Sequence, residues 1–195
     1  MGEIIPAVID VHQFFIGGDG WEPTYMSFGL QGGSTHMGFV FTSGPVAIPK
    51  SAIIVSAIAK FPAQGNYSGA DCNVALSFTA SDNPAAPTSS ASIQAAPITS
   101  EVLWTGVPAF SSGTRYNSPD LKDALQEIVN RSGWVSGNNI QLRGRDNNSG
   151  ANGYRAAYNT SGLCVDIIYT EFGTYIHPRR SRMDMKGVST QNGLA

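Results

Sequence analysis

Charge is scarce in this chain. Asp, Glu, Lys and Arg make up 13% of its 195 residues and leave a net charge of −2, so no broad basic surface for nucleic acid is expected. The polar surface must come from neutral Ser, Thr and Asn and from 22 Gly, unlike the highly charged composition of disordered chains. Long hydrophobic runs are also missing, and no segment approaches the ~20 apolar residues that cross a membrane as a helix. Met1-Gly2-Glu3-Ile4-Ile5-Pro6 has neither a basic n-region nor an apolar h-region, so no secretory signal is expected. Cysteine is reduced to Cys72 and Cys164, neither in a CxxC or Cys/His cluster. Two buried free thiols are the first reading, and one inter-strand bridge is the alternative. Histidine is limited to His12, His36 and His177, far apart and outside any catalytic motif. No Gly-rich cradle follows a strand and opens a helix, so nucleotide binding has no support.

What the chain does have is alternation. Apolar residues repeat every second position at Met26, Phe28 and Leu30, and again at Met37, Phe39 and Phe41 after Gln31-Gly32-Gly33-Ser34, the pattern of a hairpin with one buried face. Ile53, Val55, Ala57, Ala59 and Phe61 are expected on one face of a strand, with Ser56 and Lys60 on the other. Segments near 8–15, 74–78, 102–107, 139–143, 154–158 and 163–169 read as further strands, and 83–97, rich in Pro, Ala and Ser, reads as a long surface connection. Eight or nine short strands separated by Gly, Pro and Asn turns predict an all-β fold, an antiparallel β-sandwich or jelly roll. Residues 1–172 are expected to form this domain and 173–195 an extended C-terminal tail.

One helix is expected, at about 118–131. Ser118 offers a capping oxygen, Pro119 fits the first helical position, and Asp120 faces the positive end of the helix dipole. Leu121, Ala124, Leu125, Ile128 and Val129 repeat on one stripe, with Lys122, Asp123, Gln126 and Glu127 towards water. Arg131 and Gly133 end it after about four turns. The stripe predicts a plug over one end of the sandwich, with Trp134 as part of it.

The search for chemistry yields no nucleophile with suitable company. Asp10 and His12 lie two apart on a strand and share a face, which reads as a strand-end hydrogen bond before it reads as a base with its orienter. Asp146-Asn147-Asn148-Ser149-Gly150 resembles the opening of a calcium loop, but Ala151 and Ala157 occupy the positions where a turn glycine and a bidentate Glu are needed. A polar hairpin loop is the better reading, and structural calcium is the minor one; no other metal or cofactor is expected. Exposed aromatics remain, because sugars present apolar C–H faces that stack on rings. Trp21, in a Gly-rich loop, is the first candidate, followed by Tyr67, Tyr116 and Tyr154. The tail holds four of the twelve basic residues, Arg179, Arg180, Arg182 and Lys186. With Tyr175 they are expected to contact carboxylates or phosphates on a partner chain, since so polar a segment cannot bury a core of its own.

Ile48-Pro49-Lys50-Ser51-Ala52-Ile53 with Ala57, Val102-Leu103-Trp104, Ser118-Pro119-Asp120-Leu121, Gln126-Glu127-Ile128-Val129-Asn130-Arg131, Gly133-Trp134, Ser136-Gly137-Asn138 and Arg155-Ala156-Ala157 occur in this order. Together they resemble the DNRLRE-like, carbohydrate-binding-module-type jelly rolls of secreted bacterial proteins and phage virion proteins. The resemblance covers roughly residues 8 to 170 and is strongest over 118–138; the naming motif itself is not recognisable. It implies a non-catalytic β-sandwich used in adhesion, glycan binding or assembly. Combined with the missing signal and the basic tail, it leads to the expectation of a non-enzymatic bacteriophage virion component, on the tail rather than the capsid. Its expected partners are other virion proteins, copies of itself and a host surface glycan, with no nucleic acid or membrane. The alternatives are a capsid decoration protein and a secreted or surface glycan-binding module. A glycan-cleaving hydrolase ranks last, because Asp10, Glu22 and Glu127 show no paired motif.

Overall fold

Each alternating segment has one apolar face to bury, and the chain meets that need with two antiparallel sheets packed on a common core. The computed structural model describes residues 1–16, 20–23, 26–67, 69–159 and 162–171. The elements in chain order are β1 (Gly2–Ile4), β2 (Val8–Phe15), β3 (Trp21–Glu22), β4 (Ser27–Gln31), β5 (Thr35–Ser43), β6 (Ile53–Pro62), β7 (Cys72–Phe78), α1 (Ser90–Ala95), β8 (Val102–Val107), β9 (Arg115–Asp120), α2 (Lys122–Val129), β10 (Ile140–Asp146), β11 (Tyr154–Ala156) and β12 (Cys164–Thr170). A four-stranded sheet runs β1-β12-β6-β9. An eight-stranded sheet runs β11-β4-β5-β10-β7-β8, with β2 also paired to β5 and β3 to β2. The expected all-β sandwich is therefore present, with the 31–34 hairpin joining β4 to β5.

Between the sheets Phe28, Phe39, Phe61, Trp104 and Phe110 form an aromatic cluster, Phe28 lying 5.3 Å from Phe39 and 5.6 Å from Phe61 between ring centroids. Burying each such ring contributes about 1.5–3 kcal/mol. Gly144 on β10 is required here, because a Cβ would stand 2.3 Å from the Phe39 ring. The buried face of β6 differs from expectation at its start. Ile54 is buried while Ile53 and Val55 are 45% and 40% exposed. A register shift places Tyr169 opposite Ile54 and Ile168 opposite Ser56, so Val55 is a bulge that reverses the alternation before Ala57, Ala59 and Phe61 resume it.

The helix start is displaced. Residues 115–120 pair with β6 as the edge strand β9, and α2 begins only at Lys122, so it makes about two turns. Ser118 Oγ accepts the Ala59 N–H (2.9 Å), and Asp120 Oδ1 accepts the N–H groups of Ala57 (2.9 Å) and Lys122 (3.0 Å). Ser118 thus completes a strand edge where Pro119 has no N–H to lend, and Asp120 serves strand and helix together. The plug itself forms as expected. Leu121, Ala124, Leu125, Ile128, Val129 and Trp134 are all buried in the main core, and Trp134 Nε1 donates to the Ile48 carbonyl (3.1 Å). Gln126, expected towards water, holds the chain before β6, accepting from Ile54 N (2.8 Å) and donating to Ala52 O (2.9 Å).

A second helix, α1, occupies the stretch read as a surface connection. Ser89 and Ser92 form a reciprocal capping box, and Ile93 packs on Phe14 and Val40 in a separate small cluster. Alternation puts Phe14 and Val40 on the face of the large sheet opposite Phe39 and Phe41, so α1 covers that outer face. Arg143, buried beneath it, donates to the carbonyls of Ile93 (2.8 Å) and Ala96 (3.4 Å) at the helix end.

Candidate binding cleft

Two of the four candidate aromatics meet. Tyr154 opens β11 opposite Gly29, and Tyr67 is held by a two-bond bridge to Phe110, at 2.8 and 2.9 Å. Their half-buried rings approach to 5.3 Å at 64°, forming the corner of a cleft of about 320 Å³ lined by Asn66, Tyr67, Gly69, Asn152 and Tyr154. The Tyr67 hydroxyl donates to Gln64 Oε1 (3.1 Å), which braces the ring. Asn66 Oδ1 accepts from Ser112 N (2.9 Å), and Asn152 Oδ1 from Gly32 N (2.9 Å). Asn152 sits at φ +62°, a left-handed conformation that Asn tolerates. Among the described residues no charged side chain lines the cleft.

The other two aromatics lie elsewhere. Tyr116 stacks on Phe110 (4.3 Å, 10°) and its hydroxyl accepts from Ser111 N (3.0 Å); it supports the loop behind Tyr67 and does not line the cleft. Trp21 belongs to the outer-face cluster with Phe14 and Ile93 and stacks on the His12 ring (4.1 Å, 16°). Tyr175, Arg179, Arg180, Arg182 and Lys186 fall outside the described residues, as does the whole of 172–195. Asn66, Gly69 and Asn152 join the two tyrosines at the cleft without belonging to any motif of the sequence. The available signal was a shared grammar: Gly65-Asn66-Tyr67 and Asn152-Gly153-Tyr154 each set an Asn and a Gly beside a Tyr.

Titratable pairs elsewhere are tied into the scaffold. His12 Nε2 lies 2.8 Å from Asp10 Oδ1, but His12 is only 8% exposed and its ring is covered by Trp21, so no substrate reaches it from that face. Asp146 accepts from Ser149 N (3.2 Å) and contacts His36 Nδ1 (2.6 Å), and these contacts close the polar loop that had resembled a calcium site. Among the described residues no three His, Cys, Asp or Glu side chains gather as metal ligands. Glu127 accepts from Ser100 N (3.1 Å). Cys72 and Cys164 are free and buried; burial pushes the Cys72 thiol up to about 12 and raises that of Cys164. A larger cleft of about 490 Å³ lies between the N-terminal segment and β12, with Ile5, Val8, Leu163 and Cys164 among its walls and no aromatic ring among the described residues that line it.

No protein-family model matches the chain, and no curated protein matches it. The chain itself offers a sandwich of two antiparallel sheets, plugged by α2 and Trp134, with an aromatic cleft at the turns before Tyr67 and Tyr154 whose described lining is uncharged.

Proposed function

We propose that this chain is a non-enzymatic structural component of a bacteriophage virion, a tail protein, whose sandwich faces outward and whose C-terminal segment contacts neighbouring virion proteins, copies of itself included. The observation that carries the reading is the plug. The 118–138 segment, where the sequence most resembles phage and bacterial jelly-roll modules, buries its apolar stripe of Leu121, Ala124, Leu125, Ile128, Val129 and Trp134 in the core of a two-sheet sandwich. That is the role a shared scaffold element has, and it leaves display to the loops and attachment to the tail. Support for the tail's role comes from sequence: only Asp184 among the 14 acids follows residue 171, against four of the 12 basic residues. The test is truncation at Gly173. The shortened chain should fold and stay soluble but fail to enter particles; normal incorporation would overturn the reading.

A second reading, a secreted or surface glycan-binding module, is favoured by the Tyr67–Tyr154 cleft. Binding to a glycan array by a chain that no phage particle contains would select it.

A further inference from the structure

We infer that the Tyr67–Tyr154 cleft is a subsite for a neutral pyranose, the end or a branch of an uncharged glycan. The inference deepens the reading of an outward-facing sandwich and relies on it only for biological context. Rings 5.3 Å apart at 64° offer a face under a sugar ring and a second ring beside it, matching the apolar C–H face and polar rim of a pyranose. The two asparagines supply the polar half. Because each Oδ1 receives a backbone N–H, both planar amides are anchored, and Asn66 and Asn152 line the cleft with a group that also carries an Nδ2 donor. Both amides are thereby set before a ligand arrives, which lowers the ordering cost of binding. Gly69 lets the two walls approach closely, since a Cβ there would stand 2.6 Å from the Asn152 carbonyl oxygen. None of the described lining residues is charged, which selects against uronic or sialic acids. At about 320 Å³ the cleft is at the small end of ligand sites.

The experiment is an amide-detected NMR titration of the full chain with cellobiose, lactose, maltose and diacetylchitobiose, and with digalacturonate as the acidic counterpart. At least one neutral disaccharide should give saturable shifts centred on the Asn66 and Asn152 side-chain amides and on residues 67 and 154. Tyr154→Ala should weaken that binding by about tenfold, whereas Tyr154→Phe keeps it. Asn152→Gly, which retains the left-handed backbone while removing the donor, should also weaken it, so the answer does not depend on one variant folding. Silence from all four neutral sugars at about 10 mM, ten times a 1 mM Kd, overturns the inference. So does binding that survives both Tyr154→Ala and Asn152→Gly, or a preference for digalacturonate. Particle incorporation of Tyr154→Ala is read separately: normal incorporation without sugar binding leaves the virion reading standing, and failure of the Gly173 truncation test leaves the cleft inference untouched.

Discussion

Glu101 and Arg145 meet as a two-pronged fork near the β8 edge of the large sheet, with Nε–Oε1 and Nη2–Oε2 both 2.7 Å. The guanidinium holds the Glu101 carboxyl below its ordinary value, so the folded chain binds a proton there less readily than the unfolded one. The stabilisation is complete above the unfolded value of about 4.3 and is lost as pH falls through the lower folded value. Both side chains are partly solvated, at 38% and 27% exposed, which limits the pair to at most about 1 kcal/mol. Glu101→Gln should lower the unfolding free energy, read from urea titration near neutral pH, by up to that amount and converge on the parent protein in acid; a gap that persists in acid would assign the loss to packing. Cys72 sits at the opposite extreme, a thiol pushed up to about 12 by burial and packed against the Phe28 carbonyl. Thiolate is the reactive form, so Ellman's reagent at mildly alkaline pH should find no rapid thiol in the folded chain and both in guanidinium. Fast reaction of one thiol in the folded chain would point to Cys164, which is 8% exposed at the edge of the larger cleft.

At the element scale, α2 is short for a self-sustaining helix and depends on what it covers. Leu125, fully buried between α2 and the sheets, should cost about 2–5 kcal/mol as Leu125→Ala; a loss well under 1 kcal/mol by denaturation would contradict the plug. Asp120→Ala removes one acceptor from two N–H groups, those of Ala57 and Lys122, and should cost about 1–3 kcal/mol, while Asp120→Asn retains the oxygen and most of the stability. That double duty explains a displaced boundary. Ser118-Pro119-Asp120 carries every local helix-start signal, yet β6 needed a neighbour and recruited those residues as strand β9, a tertiary gain that local propensity does not register. Elements with long alternation, such as the β4–β5 hairpin, β7, β10 and β12, were legible because period two is a strong local signal. Gly2–Ile4 and Trp21–Glu22 were not, being too short to show any period, and α1 escaped because its six residues hold one large apolar side chain, Ile93, and draw support from Arg143 on a distant strand. The cleft followed the same logic. Tyr67 and Tyr154 could be named as rings, but their meeting depends on the Tyr67–Phe110 bridge and the β4–β11 pairing, contacts between residues far apart in sequence.

For the whole molecule, the described core is closed before the basic segment begins. Its members run from Val11 to Ile167, and Ile4 and Tyr169 pack at its margin. A chain cut at Gly173 keeps every one of these residues, every strand pairing among the described residues and all of the plug. If 173–195 acts as a connector, the unfolding free energy of the cut chain should match that of the full chain within about 0.5 kcal/mol, the range of changes remote from core and caps, with the same denaturant slope. Charge, by contrast, changes sharply, since four of the 12 basic residues leave with one of the 14 acids. If those cations make the contacts with neighbouring chains, association of the full-length protein should weaken as salt rises, the screening length falling from about 10 Å at 0.1 M to about 3 Å at 1 M. The truncated chain should show no salt-dependent association at all. Sedimentation of both proteins across that salt range separates the two contributions: a stability loss in the cut chain would make 173–195 part of the fold, while equal stability with lost, salt-sensitive association would make it a connector.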